Sequence, residues 1–435
     1  MIAALRRALA AGETTLATEL RAGAATFATM AYIIVVNPAI LEAAGIPREA
    51  SVTATILSAA FGTLLMGVYA NRPFAIAPYM GENAFIAFTV VKGMGFPWQT
   101  ALGAIFLAGV AFTLLTVFRV RGWLAAALPR SLKHAFAVGI GLFVTFIGLN
   151  DIGVVALGAP GAPVALGALR APATLVALAA LGLTLVLMAR RVTGALTIGI
   201  ALAFVGSLLT GITPLPTALV SAPPSLTPIL GQLDIAGALT LEALPVVVIV
   251  FVMAFVDTIG TLFGLSAHAG LLDADGNLPD VERPMLADAL SNLFAPIVGT
   301  TTTGAYIESA VGIEEGGRTG LTAVVVAVLF LLALWGAPLL TAVPLHASGV
   351  ALVAIGVLML KPLASLDTAD ATEWIPALLT IVLMSFTYNI GVGMTAGLLL
   401  HPLLKLATGR GREVPAALWV LAALSLLFYL VYPYR

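Results

Sequence analysis

Long apolar runs, interrupted by short polar or charged breaks, follow one another from near the first residue to the last. Runs near 20–40, 51–70, 75–91, 98–118, 133–149, 171–189, 194–211, 240–265, 284–299, 302–313, 319–341, 346–360, 374–388 and 390–406 approach the length needed to cross a bilayer, about 20 residues for a helix. These are taken as spans 1 to 14. A further run, 416–433, suits either a fifteenth span or a helix lying at the interface. The pattern predicts an all-α polytopic membrane protein.

Composition agrees. Of 435 residues, 60% are hydrophobic and only 9% charged, against about 25% charged in soluble domains. The net charge of −1 gives no reason to expect nucleic acid as a partner. The absence of cysteine excludes disulfides, thiolate metal sites and cysteine nucleophiles. His134, His268, His346 and His401 show no metal-ligand spacing, so neither metal nor cofactor is expected. No cleavable signal peptide is expected, since no small-residue cleavage site follows the first apolar run. Arg119, Arg121, Arg130, Lys133, Arg190, Arg191, Lys361, Lys405, Arg410 and Arg412 fall on the side of the N-terminal Arg6 and Arg7 when fourteen spans are threaded. The positive-inside bias then places the N-terminus in the cytoplasm of a cell inner (plasma) membrane protein.

Two broken segments carry the chemistry. Ala77-Pro78-Tyr79-Met80-Gly81-Glu82-Asn83-Ala84 and Gly304-Ala305-Tyr306-Ile307-Glu308-Ser309-Ala310 each set a Tyr and a carboxylate in a Gly-interrupted apolar stretch. Two further matches keep the same order. Met30-Ala31-Tyr32-Ile33 resembles Met253-Ala254-Phe255-Val256, and Leu57-Ser58-Ala59-Ala60-Phe61 resembles Leu290-Ser291-Asn292-Leu293-Phe294. Two homologous halves of seven spans must be oppositely oriented, the inverted-repeat plan of many secondary transporters.

Asp257 lies deep in span 8, where a carboxylate must face a cavity, a partner or a proton. Glu308 follows a run of four threonines and Gly304. It suits a polar cavity lined by non-helical backbone, a helix N-terminus, or both at once, since half-helix N-termini are where transporters bind polar ligands. Asn83 offers two donors and an acceptor, which fits the edge of a heterocycle. Glu82 beside it either touches substrate or braces the opposite segment. Phe27, Phe85, Phe255 and Tyr306 are candidates for stacking on a planar ligand. Gly316-Gly317-Arg318-Thr319-Gly320 reads as a cytoplasmic turn, with no Lys-Ser/Thr ending that would make it a phosphate loop. The stretch 272–277 reads as a solvated acidic turn without the ligand spacing of a calcium loop.

Together with Thr26-Phe27-Ala28-Thr29-Met30-Ala31-Tyr32-Ile33-Ile34-Val35-Val36-Asn37-Pro38, Gly81-Glu82-Asn83-Ala84-Phe85, Asp257-Thr258-Ile259-Gly260 and Gly316-Gly317-Arg318-Thr319-Gly320, these strings make the chain resemble the AzgA-like purine permeases. These form a branch of the nucleobase–ascorbate (nucleobase:cation symporter-2) superfamily. The resemblance implies a core domain of spans 1–4 and 8–11 (18–118 and 240–341). It implies a gate domain of spans 5–7 and 12–14 (119–211 and 342–435), an outside loop at 212–239, and a homodimer interface on the gate. Short strands in spans 3 and 10 would cross near the midplane. Asp257, Glu308 and Asn83 would bind the purine, with Gly81 keeping a close backbone approach. The chain departs from the family at Glu82, where an apolar residue is common, and at Ala254, where a second acid is often found.

The expected function is proton-coupled import of a purine nucleobase such as adenine, guanine or hypoxanthine by an elevator motion. Substrate would meet Asp257, Glu308, Asn83, Gly81, Glu82, Phe85 and Tyr306, and the proton Asp257, Glu308 or Glu82. Partners are therefore a purine, a proton and the bilayer. The alternative is a transporter of the same fold for xanthine, uracil or a small anion. An enzyme is not expected, because no Ser-His pair or metal cluster lies at membrane depth.

Overall fold

A computed structural model describes residues 14–118, 128–159, 162–216, 218–271 and 278–431. The turn at 272–277 and Arg119 and Arg121 lie outside the described residues. Sixteen helices carry the architecture: α1 Leu16–Met30, α2 Ile33–Glu42, α3 Arg48–Val68, α4 Met80–Ala84, α5 Trp98–Val117, α6 Arg130–Asp151, α7 Pro172–Ala189, α8 Ala195–Leu209, α9 Leu244–His268, α10 Glu282–Val298, α11 Ser309–Glu314, α12 Gly320–Ala333, α13 Leu345–Leu358, α14 Ala371–Phe386, α15 Ile390–Ala407 and α16 Ala416–Val431. Four short strands complete it: β1 Ile76–Pro78, β2 Val155–Ala159, β3 Ala162–Leu166 and β4 Thr303–Ala305.

Local chemistry explains many of the helix starts. The Thr15, Asp370 and Asn389 side chains accept backbone N–H groups at the heads of α1, α14 and α15, which is the usual work of N-cap residues. Pro97, Pro129 and Pro344 precede α5, α6 and α13. Nine helical stretches among the described residues are long and apolar enough to span a membrane, the first being α1 and α2 together. Helices α8, α10 and α14 and the two broken segments, β1–α4 and β4–α11, bring the series to the fourteen expected. Helix α16 is additional; it packs along α15 and α9, with the Tyr429 hydroxyl donating to Val392 O at 2.7 Å.

Two groups of helices emerge from the packing. Helix α3 lies against α12 and α10, α5 against α10 and α9, and α1 against α12. Separately, α6 lies against α13 and α14, α14 against α15, and α8 against α7 and α13. Strands β1 and β4 meet inside the first group as an antiparallel pair, with Ile76 opposite Ala305, Ala77 opposite Gly304 and Pro78 opposite Thr303. The pairing continues one residue beyond each strand end: Tyr79 N–H donates to Thr302 O at 3.0 Å and Tyr306 N–H to Ala75 O at 2.9 Å.

Repeat-related residues touch their own counterparts. Phe61 stacks on Phe294 with ring centroids 4.2 Å apart, and Tyr79 on Tyr306 at 6.2 Å with planes 11° apart. Matched residues of two halves meet in this way only near an axis that exchanges the halves, so the sequence matches mark a structural pseudo-two-fold. A second hairpin, β2–β3, follows α6. The apolar-run reading left it unnoticed, because a short solvent-facing hairpin carries no span-length signal; Leu157 is 91% exposed.

Candidate functional site

Extended backbone at membrane depth leaves donors and acceptors that water cannot satisfy, each costing several kcal/mol if unpaired. Both strands are stitched at their outer edges by polar side chains from neighbouring helices. From α3, the Thr63 hydroxyl accepts Ile76 N–H at 2.8 Å and donates to Ile76 O at 2.9 Å. From α10, the Asn292 amide donates to Thr303 O at 2.6 Å and accepts Thr303 N–H at 2.9 Å. These are the same stitch made twice, by the second span of each half. Ser309 Oγ accepts Ala75 N–H at 2.9 Å, and Asp288 Oδ1 accepts Ala305 N–H at 3.1 Å.

Acids and tyrosines gather around this strand pair. Glu82 and Asn83 are fully buried on α4, whereas Asp257 and Glu308 are partly exposed. The Tyr32 hydroxyl, from the break between α1 and α2, donates to Glu308 Oε1 at 2.6 Å. Glu308 occupies the N-cap position of α11, at the helix N-terminus, without a side-chain capping bond. Thr301 donates to Asn83 Oδ1. This uses the amide's acceptor and leaves Asn83 Nδ2 without a partner among the described residues; both Glu82 oxygens are likewise unpaired. Asn83 therefore braces the opposite segment, and Glu82 does not.

Asp257 lies on α9, which packs on β4, α11 and α4. The Tyr79 hydroxyl lies 3.3 Å from the Thr261 hydroxyl, which donates to Asp257 O at 2.7 Å. Among the described residues, no Lys or Arg forms an ion pair with Glu82, Asp257, Asp288 or Glu308.

Six of the seven expected site residues therefore share one neighbourhood: Gly81, Glu82 and Asn83 on α4, Asp257 on α9, and Tyr306 and Glu308 beside β4. The Tyr306 hydroxyl donates to Pro78 O, which ties its ring to the opposite strand. Gly304 admits this geometry: a Cβ there would lie 2.2 Å from the Tyr79 ring. The close approach at Gly81 is made to Ile140 of α6, whose Cγ2 would stand 2.7 Å from a Cβ. Phe85 is fully buried one turn beyond Gly81, where the helix widens to π geometry over Phe85–Gly93. Phe27 and Phe255 pack instead on Phe330 and on Phe112 and Phe251.

Sequence reasoning missed Asp288. It is fully buried, accepts the Thr258 hydroxyl at 2.7 Å as well as Ala305 N–H, and so links α9, next to Asp257, to β4. The cost rule that flagged Asp257 would have flagged it too, but a span drawn from 284 put Asp288 near the membrane edge. Glu19 was missed for the same reason. Its buried carboxylate accepts the N–H groups of Arg318, Thr319 and Thr322 at 3.1–3.2 Å and the Thr322 hydroxyl at 2.6 Å. The glycine-rich turn does hold an anion at the head of α12, and that anion is the protein's own carboxylate.

Crossed strands between two inverted halves, with acids rather than cations around them, define a membrane transporter. Residues 17–395 match the family described as Permease family (Xan_ur_permease). Adenine permease AdeP of Escherichia coli is 40% identical over 414 residues, covering 95% of this chain and 93% of its own. Guanine/hypoxanthine permease PbuG of Bacillus subtilis is 36% identical over 423 residues, covering 95% and 96%. The transmembrane domain of the cyanobacterial bicarbonate transporter BicA shares the fold with a TM-score of 0.66, at 15% identity over 88% of this chain and 97% of that one. The chain belongs to this permease family, in the AzgA-like branch of the nucleobase–ascorbate superfamily. It is a multi-pass membrane permease and not an enzyme.

Proposed function

We propose that this permease imports purine nucleobases such as adenine, guanine or hypoxanthine across the inner membrane, coupled to protons, with its N-terminus in the cytoplasm. The observation that carries the reading is the buried, unpaired Glu82 carboxylate beside the unpaired Asn83 amide donor. A purine edge offers both complements: ring and exocyclic N–H groups for carboxylates, and ring nitrogens or a carbonyl oxygen for an amide N–H. Buried polar groups left without partners are costly, so a ligand that satisfies them is favoured over one that cannot. Relatives named for adenine and for guanine and hypoxanthine support the substrate class. A small anion fits poorly among four carboxylates without a cation.

Glu82, Asp257 and Glu308 supply the proton-coupling groups. Negative charges crowded in one dry site are mutually repulsive, and a proton taken up with the base lowers the cost of carrying the site past apolar walls. The packing group of α1–α5 and α9–α12 acts as the core that carries the site. The group of α6–α8 and α13–α15 acts as the gate against which it slides and as the homodimer surface. Equilibrium binding of labelled adenine, guanine and hypoxanthine to the purified protein tests the site. Binding of at least one base, lowered tenfold or more by Asp257→Asn and by Glu82→Gln, is expected. Binding of none, or binding indifferent to both substitutions, contradicts the reading.

A further inference from the structure

Beyond the site, span 3 continues outward with one face turned to the gate group. Gly81, Phe85 and Phe88 are brought to that face by α4 and the π-helical turns that continue it, and Lys92 follows on the same stripe over the Phe88 ring. Gly81, Phe85 and Phe88 each meet the gate helices in turn. Gly81 lies under Ile140 of α6, and a Cβ on Gly391 of α15 would stand 3.0 Å from Phe85 Cε2. The Phe88 ring meets Tyr388 at 5.7 Å and Phe143 at 6.4 Å between centroids. Tyr388 in turn meets Phe143 at 4.9 Å and Phe146 at 5.7 Å. Lys92, at the exposed end of the stripe, places Nζ 5.3 Å from the Phe88 centroid.

Tyr388 holds a left-handed backbone, φ 53°, in the turn between α14 and α15. A side chain with a Cβ adopts that conformation at a cost, and here it brings the phenol ring between three phenylalanines. Edge-on and tilted rings at these separations attract one another and part without breaking any hydrogen bond. The cluster therefore suits a contact that must form and open repeatedly. The two sides of the contact belong to different packing groups: Phe88 to the core, Phe143, Phe146 and Tyr388 to the gate.

We infer that Phe88, Phe143, Phe146 and Tyr388 form the outer gate of the transport path and limit what can reach Glu82 and Asn83. The inference rests on the core-against-gate reading and orientation proposed above. The absence of cysteine from the chain makes it directly testable. Ile140→Cys puts one thiol beside Gly81, below the aromatic cluster, for labelling by a membrane-impermeant maleimide applied from outside. Slow labelling is expected, accelerated at least tenfold by adding Phe88→Ala or Tyr388→Ala. Phe88→Leu serves if the alanine variant fails to fold, as read by its gel-filtration profile. Equal labelling rates with and without these substitutions would overturn the inference. The readout needs no substrate, so accelerated labelling in a protein that binds no purine supports the gate while the purine reading falls.

Discussion

Removing the Asn292 stitch tests whether the crossing strands depend on their side-chain partners. Asn292→Ala deletes both bonds to Thr303, at 2.6 and 2.9 Å, and strands a backbone N–H and C=O at a fully buried position. An unsatisfied buried group costs about 1–3 kcal/mol, so the pair amounts to roughly 2–6 kcal/mol, with bilayer burial favouring the upper end. The pseudo-two-fold supplies an internal control. Thr63→Ala removes the equivalent two bonds to Ile76 and lowers stability comparably, while Thr63→Ser retains them. The assay is thermal unfolding of the detergent-purified protein, with amide exchange at Ile76 and Thr303 as the local readout. Unchanged unfolding and exchange in Asn292→Ala and Thr63→Ala together would refute the argument that these helices hold the strands.

Three further outcomes follow from the same geometry. Tyr32→Phe removes the donor to Glu308 at 2.6 Å and leaves the ring in place; an internal hydrogen bond contributes about 0.5–1.5 kcal/mol, so the unfolding temperature falls modestly, and purine binding weakens because Glu308 loses the hydroxyl that orients it, as unfolding and binding curves will show. Glu19→Ala strips the head of α12 of a carboxylate that accepts four donors and lowers thermal stability, and Glu19→Gln does so less because it retains an acceptor. Arg410 and Lys405 hold the exposed Glu413 carboxyl below its ordinary value of 4.5, and Thr372 and Arg410 hold Asp370 down likewise. The folded carboxyls are the stronger acids, so their contribution is present above the unfolded values and fades as pH falls below about 4. Arg410→Ala flattens that acid limb of the stability curve.

Much of the site was legible because burying charge in a membrane is costly enough to be conspicuous. Asp257, Glu308 and Glu82 stood out against apolar neighbours, and the ordered matches revealed two halves whose phenylalanines and tyrosines do meet. What stayed hidden depended on contacts between residues far apart in sequence. Tyr32 reaches Glu308 across 276 positions and Glu19 reaches Thr322 across 303; no local periodicity records either. Asp288 was hidden by a span boundary drawn from hydropathy, because a helix that carries its own polar stitches is less apolar at that end. The bracing role left open for Glu82 falls to Asn83 instead, which only geometry shows: Thr301 occupies the Asn83 acceptor, and nothing among the described residues occupies Glu82.

Uptake of labelled adenine, guanine and hypoxanthine into proteoliposomes under an imposed proton gradient tests the central claim most directly. The account predicts concentrative uptake of at least one purine, abolished by a protonophore and by Asp257→Ala or Glu308→Ala. Accumulation of none of them, or accumulation untouched by the protonophore and by both substitutions, would contradict it.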